Sequence, residues 1–263
     1  MLRSKAPTPL KVNALPDIQT EKVFKNSNDH VIPSHPFRCI LSGMSGSGKS
    51  NLLITMLMKP EMYYGFFKHI LIISPNIDSD KSYKHLLKDE VKQLKKKPKD
   101  KSKITYWFFK EYDQDAINDI MNMRMEAVEQ CIKTPMLIVL DDILKNRKLL
   151  NSSFLQGLFT KGRHLKISTF ICTQSYMKLD RTLRLNATNL IWFQPKNVSE
   201  IKRVYDELIR DMTLDQFIKL CNAVYSKRFN FLNLRIGAEP SKYMTLNFEH
   251  WIVLPSSSMG LSP

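Results

Sequence analysis

Acidic residues are scarce in this chain: 25 Asp+Glu stand against 40 Lys+Arg over 263 residues, a formal net charge of +15. That balance argues against a cationic partner and favours polyanions, which release condensed counterions when lysine and arginine neutralise their phosphates. Nucleic acid heads the class, with membrane surfaces and acidic proteins as its other members. Cysteine is sparse as well. Cys39, Cys131, Cys172 and Cys221 lie far apart, form no C-x-x-C pair and have no histidine at ligand spacing, which argues against a zinc module. Cys39 and Cys172 fall in apolar runs, so they are expected as small core residues in a reducing compartment. No run approaches the length of a membrane-spanning helix, and Met1-Leu2-Arg3-Ser4-Lys5 lacks the apolar core of a secretion signal. No internal repeat of useful length is visible. A soluble, intracellular protein is expected.

With 43% hydrophobic residues, the chain is long enough for one α/β domain with a substantial core. Residues 1–36 are polar, carry Pro7, Pro9, Pro16, Pro33 and Pro36, and show no sustained period, so they read as a loose arm. Residues 37–42 form a short apolar run that ends at Gly43 and reads as a buried strand entering a Gly-rich turn. A helix is expected over 49–58, with Leu52, Leu53, Met56 and Leu57 on one side and Pro60 as its stop. Further apolar runs at 69–74, 104–108, 136–140, 166–173 and 189–193 alternate with helical stretches, of which 114–132 and 153–160 are the plainest. That alternation implies an α/β fold, a mostly parallel sheet flanked by helices on both faces.

Another helical stretch is expected to run to about 221, with Ser199 as its N-cap. Residues 229–235 and 243–248, around Gly237-Ala238-Glu239-Pro240, read as a C-terminal β-hairpin. Residues 88–103 are lysine-dense and read as a basic exposed insertion, either a solvated loop or a phosphate contact. Residues 252–263 read as a disordered tail, which leaves 37–251 as the domain.

A polyphosphate must be approached closely by several N–H groups, and glycines allow the backbone to turn them inward. Gly43-Met44-Ser45-Gly46-Ser47-Gly48-Lys49-Ser50 meets that need between an expected strand and an expected helix. Lys49 is placed to reach the β- and γ-phosphates, the Ser50 hydroxyl to ligate Mg²⁺, and the helix to add its positive end. The acidic strand ending at Asp141 and Asp142 supplies the second half, on the expectation that it pairs directly with the P-loop strand. Asp141 would hold metal-bound water and Asp142 would polarise the attacking water. Asp142 also suits a helix N-cap or a solvated acid. Gln174, at the end of the 166–173 run, belongs to the same sheet edge and could orient the γ-phosphate or water, or be a satisfied loop amide. Arg163, in Thr160-Lys161-Gly162-Arg163-His164, could reach a neighbouring subunit's γ-phosphate, with Arg181 and Arg184 as rivals. Met121, Met123 and Met125 read as packing groups without chemistry.

The set formed by Gly43 to Ser50, Leu137 to Asp142, Gly162-Arg163-His164, Ile167-Ser168 and Thr173-Gln174 resembles the genome-packaging ATPases of large DNA viruses and virophages, in the FtsK/HerA superfamily of DNA pumps. The Arg-His turn followed by a strand ending in Thr-Gln is more specific than the P-loop, and the Asp141-Asp142 ending resembles the viral branch rather than the Asp-Glu of cellular translocases. The resemblance covers about 37–251. It implies a RecA/ASCE-like P-loop NTPase fold and a homo-oligomeric ring, hexameric or pentameric, that hydrolyses ATP with Mg²⁺ between subunits. It further implies double-stranded DNA as substrate, capsid or portal vertex proteins as partners, and the site of virus assembly in the host cytoplasm or viral factory, with the virion, as location. By the same resemblance Lys49, Ser50 and Asp141 bind nucleotide and metal, Asp142 takes the catalytic acid position, Gln174 the polar sensor and Arg163 the arginine finger. Two other classes share the loop: a P-loop kinase or phosphotransferase, for which no second substrate site is visible, and a nucleotide-dependent DNA-binding module that does not translocate.

Overall fold

A computed structural model of the chain describes residues 31–97, 100, 102–132, 134–239 and 242–252. Strands β1 (Arg38–Ser42), β2 (His69–Ile73), β3 (Thr105–Phe109), β4 (Met136–Asp141), β5 (Ile167–Thr173), β6 (Asn189–Phe193), β7 (Phe231–Arg235), β8 (Met244–Leu246) and β9 (His250–Trp251) form one sheet. Their spatial order is β3-β2-β4-β5-β1-β6-β7-β8-β9. The first six strands in the chain are mutually parallel, and β7 to β9 continue from β6 antiparallel.

The parallel strands read as unbroken apolar runs because both faces of the sheet are covered. Ile40, Ile138, Leu140, Ile171 and Trp192 point to one layer, and Leu41, Val139, Phe170, Cys172 and Ile191 point to the other. Helices α3 (Gln114–Glu129), α5 (Ser153–Thr160), α7 (Val198–Leu208) and α8 (Leu214–Val224) close the first layer through Ile117, Leu158, Val204 and Phe217. Helices α1 (Lys49–Met58) and α2 (Lys84–Leu94) close the second through Leu53, Met56 and Leu86, all fully buried. Each such side chain contributes roughly 2 kcal/mol on leaving water. The short helices α4 (Arg147–Leu150) and α6 (Arg181–Asn186) complete the connections.

Three expectations are corrected. The acidic strand does not pair with the P-loop strand, because β5 lies between β4 and β1 and pairs with both. A crossover from a parallel strand can return one position further along the sheet without changing the chain's pattern, so spacing alone does not fix adjacency. The helical stretch after residue 197 is two helices, with 209–213 between them. Its N-cap is Asn197, whose Oδ1 accepts from the Glu200 backbone at 3.1 Å, rather than Ser199. Thr213 and Gln216 start the second helix with a reciprocal capping box. The first part of the lysine-dense segment continues α2 and is anchored. Asp89 accepts from the Tyr106 hydroxyl at 2.8 Å and from Tyr64 at 3.1 Å, and Gln93 accepts from the Ile104 backbone at 3.1 Å. Residues 98, 99 and 101 lie outside the described residues.

Of the expected arm, residues 1–30 also lie outside. Residues 31–36 pack on the body, where Ile32 and His35 are buried and Asn233 donates to the Val31 carbonyl at 3.0 Å. Burial, then the Arg124 and Lys166 cations, lower the His35 pKa to about 3, so the ring is neutral beside the Ser168 hydroxyl, 2.7 Å away. Of the expected tail, only residue 252 is described.

Arg184 on α6 ties that helix to α7. Its Nε and Nη2 donate to the Glu207 carboxylate at 3.0 and 2.8 Å, and its Nη1 donates to the Leu179 carbonyl. Both side chains are nearly buried, and the Tyr176 hydroxyl also donates to Glu207, at 2.9 Å. Removing one partner leaves the other charge buried and unpaired. Arg184→Ala is therefore expected to lower unfolding free energy by about 3 kcal/mol in urea titration, with the Arg184→Met, Glu207→Leu double variant recovering most of it.

Candidate functional site

β1 delivers the chain to its carboxyl edge at Ser42, and the glycine loop returns it into α1. Gly43 is required there by close approach: a Cβ on it would lie 2.5 Å from the Phe193 Cβ and 3.0 Å from the Ser47 Oγ. Gly48 has φ 100°, a left-handed conformation that suits glycine, and it precedes α1 without a side-chain cap. No acidic residue stands in the first turn of α1. The first backbone N–H groups of the helix are therefore left for an external anion. Lys49 folds back onto the loop, its Nζ donating to the Gly43 and Met44 carbonyls at 2.7 and 2.8 Å.

The interposed β5 brings its own end into the middle of the site. Ser42 pairs with Thr173, and Asp141 with Cys172, so the ends of β1, β5 and β4 lie side by side. One cavity of about 310 Å³ is lined by Ser45, Gly46, Gly48, Lys49, Ser50, Asp141, Asp142 and Gln174. Gln174 donates to the Asp142 Oδ1 at 3.2 Å, which joins the two residues expected to act on water. Asp142 sits at φ 51° and ψ 39°, a left-handed conformation that turns the chain out of β4. Asp141 is buried, and its Oδ2 accepts from the Tyr83 hydroxyl at 2.8 Å and from Ser74 at 3.2 Å.

Burial is the largest influence on both charges. It lowers the Lys49 pKa against the raising effect of Cys172, Asp141 and Asp142. It raises that of Asp141 against the Tyr83 and Ser74 hydrogen bonds, with Asp142 raising it further and Lys49 opposing. Met44 and Ser47 of the loop line a second hollow on the β6 side rather than the main cavity.

Arg163 is not brought to this cavity. It lies in the turn entering β5, where Lys166 donates to its carbonyl at 3.1 Å, and so occupies the amino edge of the sheet. Burial first and then the Arg163 cation lower the pKa of Arg38, at the start of β1, which marks the two as neighbours. Arg184 is committed to Glu207, whereas Arg181 is exposed at the start of α6. Sequence reasoning missed Ser74 and Tyr83, which position Asp141. Ser74 follows the end of β2, and the rule that parallel strand ends collect at one edge could have found it. Tyr83 carries no motif.

The residues fit a magnesium ion held together with a nucleotide. The Asp141 carboxylate and Ser50 hydroxyl are hard oxygen donors that line the same cavity, and among the described residues no cluster of three or more His, Cys, Asp or Glu forms an all-protein cage. Magnesium is commonly bound by one or two protein oxygens with the phosphates supplying others.

A carboxyl whose folded pKa exceeds its unfolded value holds its proton more tightly when folded. Its ionisation therefore costs stability above the folded pKa, and the loss is relieved as pH falls through it. Asp141→Asn keeps an acceptor for Tyr83 and Ser74 and removes the charge. It is expected to raise the melting temperature at neutral pH without nucleotide, by an amount that shrinks toward acid pH. Calorimetry across that range checks this, and an unchanged or lower Tm at neutral pH contradicts the desolvation account.

The fold has solved counterparts. The DNA-packaging ATPase B204 from Sulfolobus turreted icosahedral virus superposes with a TM-score of 0.56 at 15% identity, covering 81% of this chain and 97% of that one. The genome packaging NTPase B204 from Sulfolobus turreted icosahedral virus 2, solved in complex with AMP, gives 0.54 at 15% identity, over 80% of this chain and 96% of that one. In sequence, the uncharacterized protein 015R of Frog virus 3 is 24% identical over 174 residues, 64% of this chain and 47% of the relative. The chain thus spans about half, or less, of the length of the curated relatives it matches. No helix of the described residues is long and apolar enough to cross a membrane. Residues 23–231 match the Poxvirus A32 protein family along most of the described body, and the chain belongs to that family.

Proposed function

We propose that the chain is an ATP-hydrolysing motor that drives double-stranded DNA into a preformed viral capsid. The observation that carries this reading is the convergence of Lys49, Ser50, Asp141, Asp142 and Gln174 on one cavity at the end of three parallel strands. The likeness to B204 supports it, since the two B204 proteins are described as a DNA-packaging ATPase and a genome packaging NTPase, and membership of a poxvirus protein family agrees with a viral role. The formal charge of +15 suits a polyanionic substrate.

In the proposed cycle, the loop N–H groups and the first turn of α1 receive the phosphates of ATP, and Lys49 exchanges its bonds to the Gly43 and Met44 carbonyls for phosphate oxygens. Magnesium, when bound with the nucleotide, supplies neutralisation of charge on the β- and γ-phosphates. Ser50 and Asp141 would hold it, with Tyr83 and Ser74 keeping the carboxylate in place. Asp142 accepts the proton of the attacking water, and Gln174, hydrogen-bonded to Asp142, orients the two relative to each other. Arg163 serves a neighbouring protomer's cavity in a homo-oligomeric ring, hexameric or pentameric. The ATPase domain runs over about 37–251. Its partners are DNA and capsid or portal vertex proteins, and its location is the host site of virus assembly, with the virion.

Long double-stranded DNA is expected to stimulate ATP turnover. Turnover indifferent to DNA points instead to a kinase-like phosphotransferase. Asp142→Asn is expected to keep nucleotide affinity while lowering kcat roughly 10²- to 10⁴-fold, the scale of losing a general base. A variant that retains both turnover and packaging rules out the assigned base. For Arg163, mixing Arg163→Ala with Lys49→Ala subunits is expected to restore part of the activity at hybrid interfaces, and no rescue at any ratio defeats the trans assignment.

A further inference from the structure

A second hollow, of about 160 Å³, adjoins the phosphate loop on its β6 side, and Ser45 and Gly46 form part of its wall as well as part of the main cavity's. Its other wall is the turn that precedes β7, with Arg228, Phe229 and Asn230, together with Gln194 after β6. Phe229 is unusual in three respects. It is 59% exposed, so its ring gains little from burial. Its φ is +68°, a conformation that a bulky L-residue adopts at a cost. The ring edge nevertheless lies against the loop, with Cδ1 3.3 Å from the position of a Cβ on Gly48.

The turn is held from both sides. Asn230 donates to the Val224 carbonyl at 2.9 Å and accepts from Asn247 at 2.8 Å. The ring also carries a planar cation, with the Arg228 guanidinium carbon 5.0 Å from its centroid, so a flat group can stack on it.

A nucleoside triphosphate seated in the loop must extend its sugar and base beyond it. The β5 side is lined by the acidic and polar Asp141, Asp142 and Gln174, which offer a base no aromatic face, whereas the β6 side opens onto the exposed ring. We infer that Phe229 is the stacking platform for the nucleobase of the triphosphate held by Gly43 to Ser50, with Arg228 closing over the base. This rests on the nucleotide-binding reading of the loop. It assigns the strained turn a task that core packing does not provide, and it links β7, outside the parallel part of the sheet, to nucleotide occupancy.

The test separates base from phosphate by titrating the full chain with a non-hydrolysable ATP analogue and with inorganic tripolyphosphate. Phe229→Ala is expected to weaken the ATP analogue roughly tenfold, the scale of losing one base–aromatic stack, and to leave tripolyphosphate affinity unchanged. Phe229→Trp is expected to retain wild-type affinity for both. Equal weakening of both ligands, or no weakening of the analogue, overturns the assignment. Failure of the underlying reading looks different, since Lys49→Ala would then leave both affinities unchanged. Should Phe229→Ala not fold, photolabelling of the wild-type chain with 8-azido-ATP decides. Attachment at Arg228 to Asn230 supports the platform, and attachment elsewhere refutes it.

Discussion

Parallel strands linked through helices leave their carboxyl ends along one edge, and the groups of the nucleotide cavity come from three such ends. Because β1, β5 and β4 are consecutive in the sheet, the phosphate loop, Gln174 and the two aspartates are fixed relative to one another by ladder register rather than by loop conformation. The two apolar layers hold that register. A one-residue slip of β5 would turn Phe170 and Cys172 toward the layer occupied by Ile167 and Ile171, moving Gln174 with them. Core packing and site geometry are therefore one constraint here.

Within that frame, the cavity is assembled against its own stability. Lys49 and Asp141 are drawn out of water, and burial shifts each toward its neutral form. The protein compensates incompletely. Lys49 takes loop carbonyls, Asp141 takes two hydroxyls, and the N-terminus of α1 takes no side-chain cap. Each of these is a polar group whose better partner is an anion or a cation supplied from outside, which is the condition for a ligand carrying those charges to stabilise the folded chain by mass action. Preorganisation is shared in the same way. Tyr83 reaches Asp141 from the turn before α2, so the segment that begins the basic helix also orients the buried carboxylate of the cavity.

Much of this was legible in the chain because periodicity and glycine placement are local. The apolar run before Gly43, the helix over Lys49–Met58 and the strand 189–193 follow directly from residue order. The position of β5 between β4 and β1 was not legible, since sheet order is set by packing between segments far apart in sequence. The break between α7 and α8 carries a local signal in Thr213-x-x-Gln216, the capping box that starts the second helix. Tyr83 and Phe229 escaped for another reason. An aromatic residue has an ordinary core role by default, and only three-dimensional placement distinguishes a tyrosine bonded to a carboxylate or a phenylalanine left in solvent.

Arg163 and Gln174 stand at opposite ends of one element. The seven residues of β5, rising ~3.3 Å each, separate the two by roughly 20 Å, so Arg163 cannot serve the cavity of its own chain. A role for it as a finger thus requires a neighbour arranged head to tail, amino edge toward carboxyl edge, which is the heterologous contact that closes into rings. In such an arrangement β5 would join Gln174 of one cavity to the arginine of the next through a strand buried on both faces. A displacement at Gln174 would then pass to the neighbouring cavity along a buried strand paired on both edges.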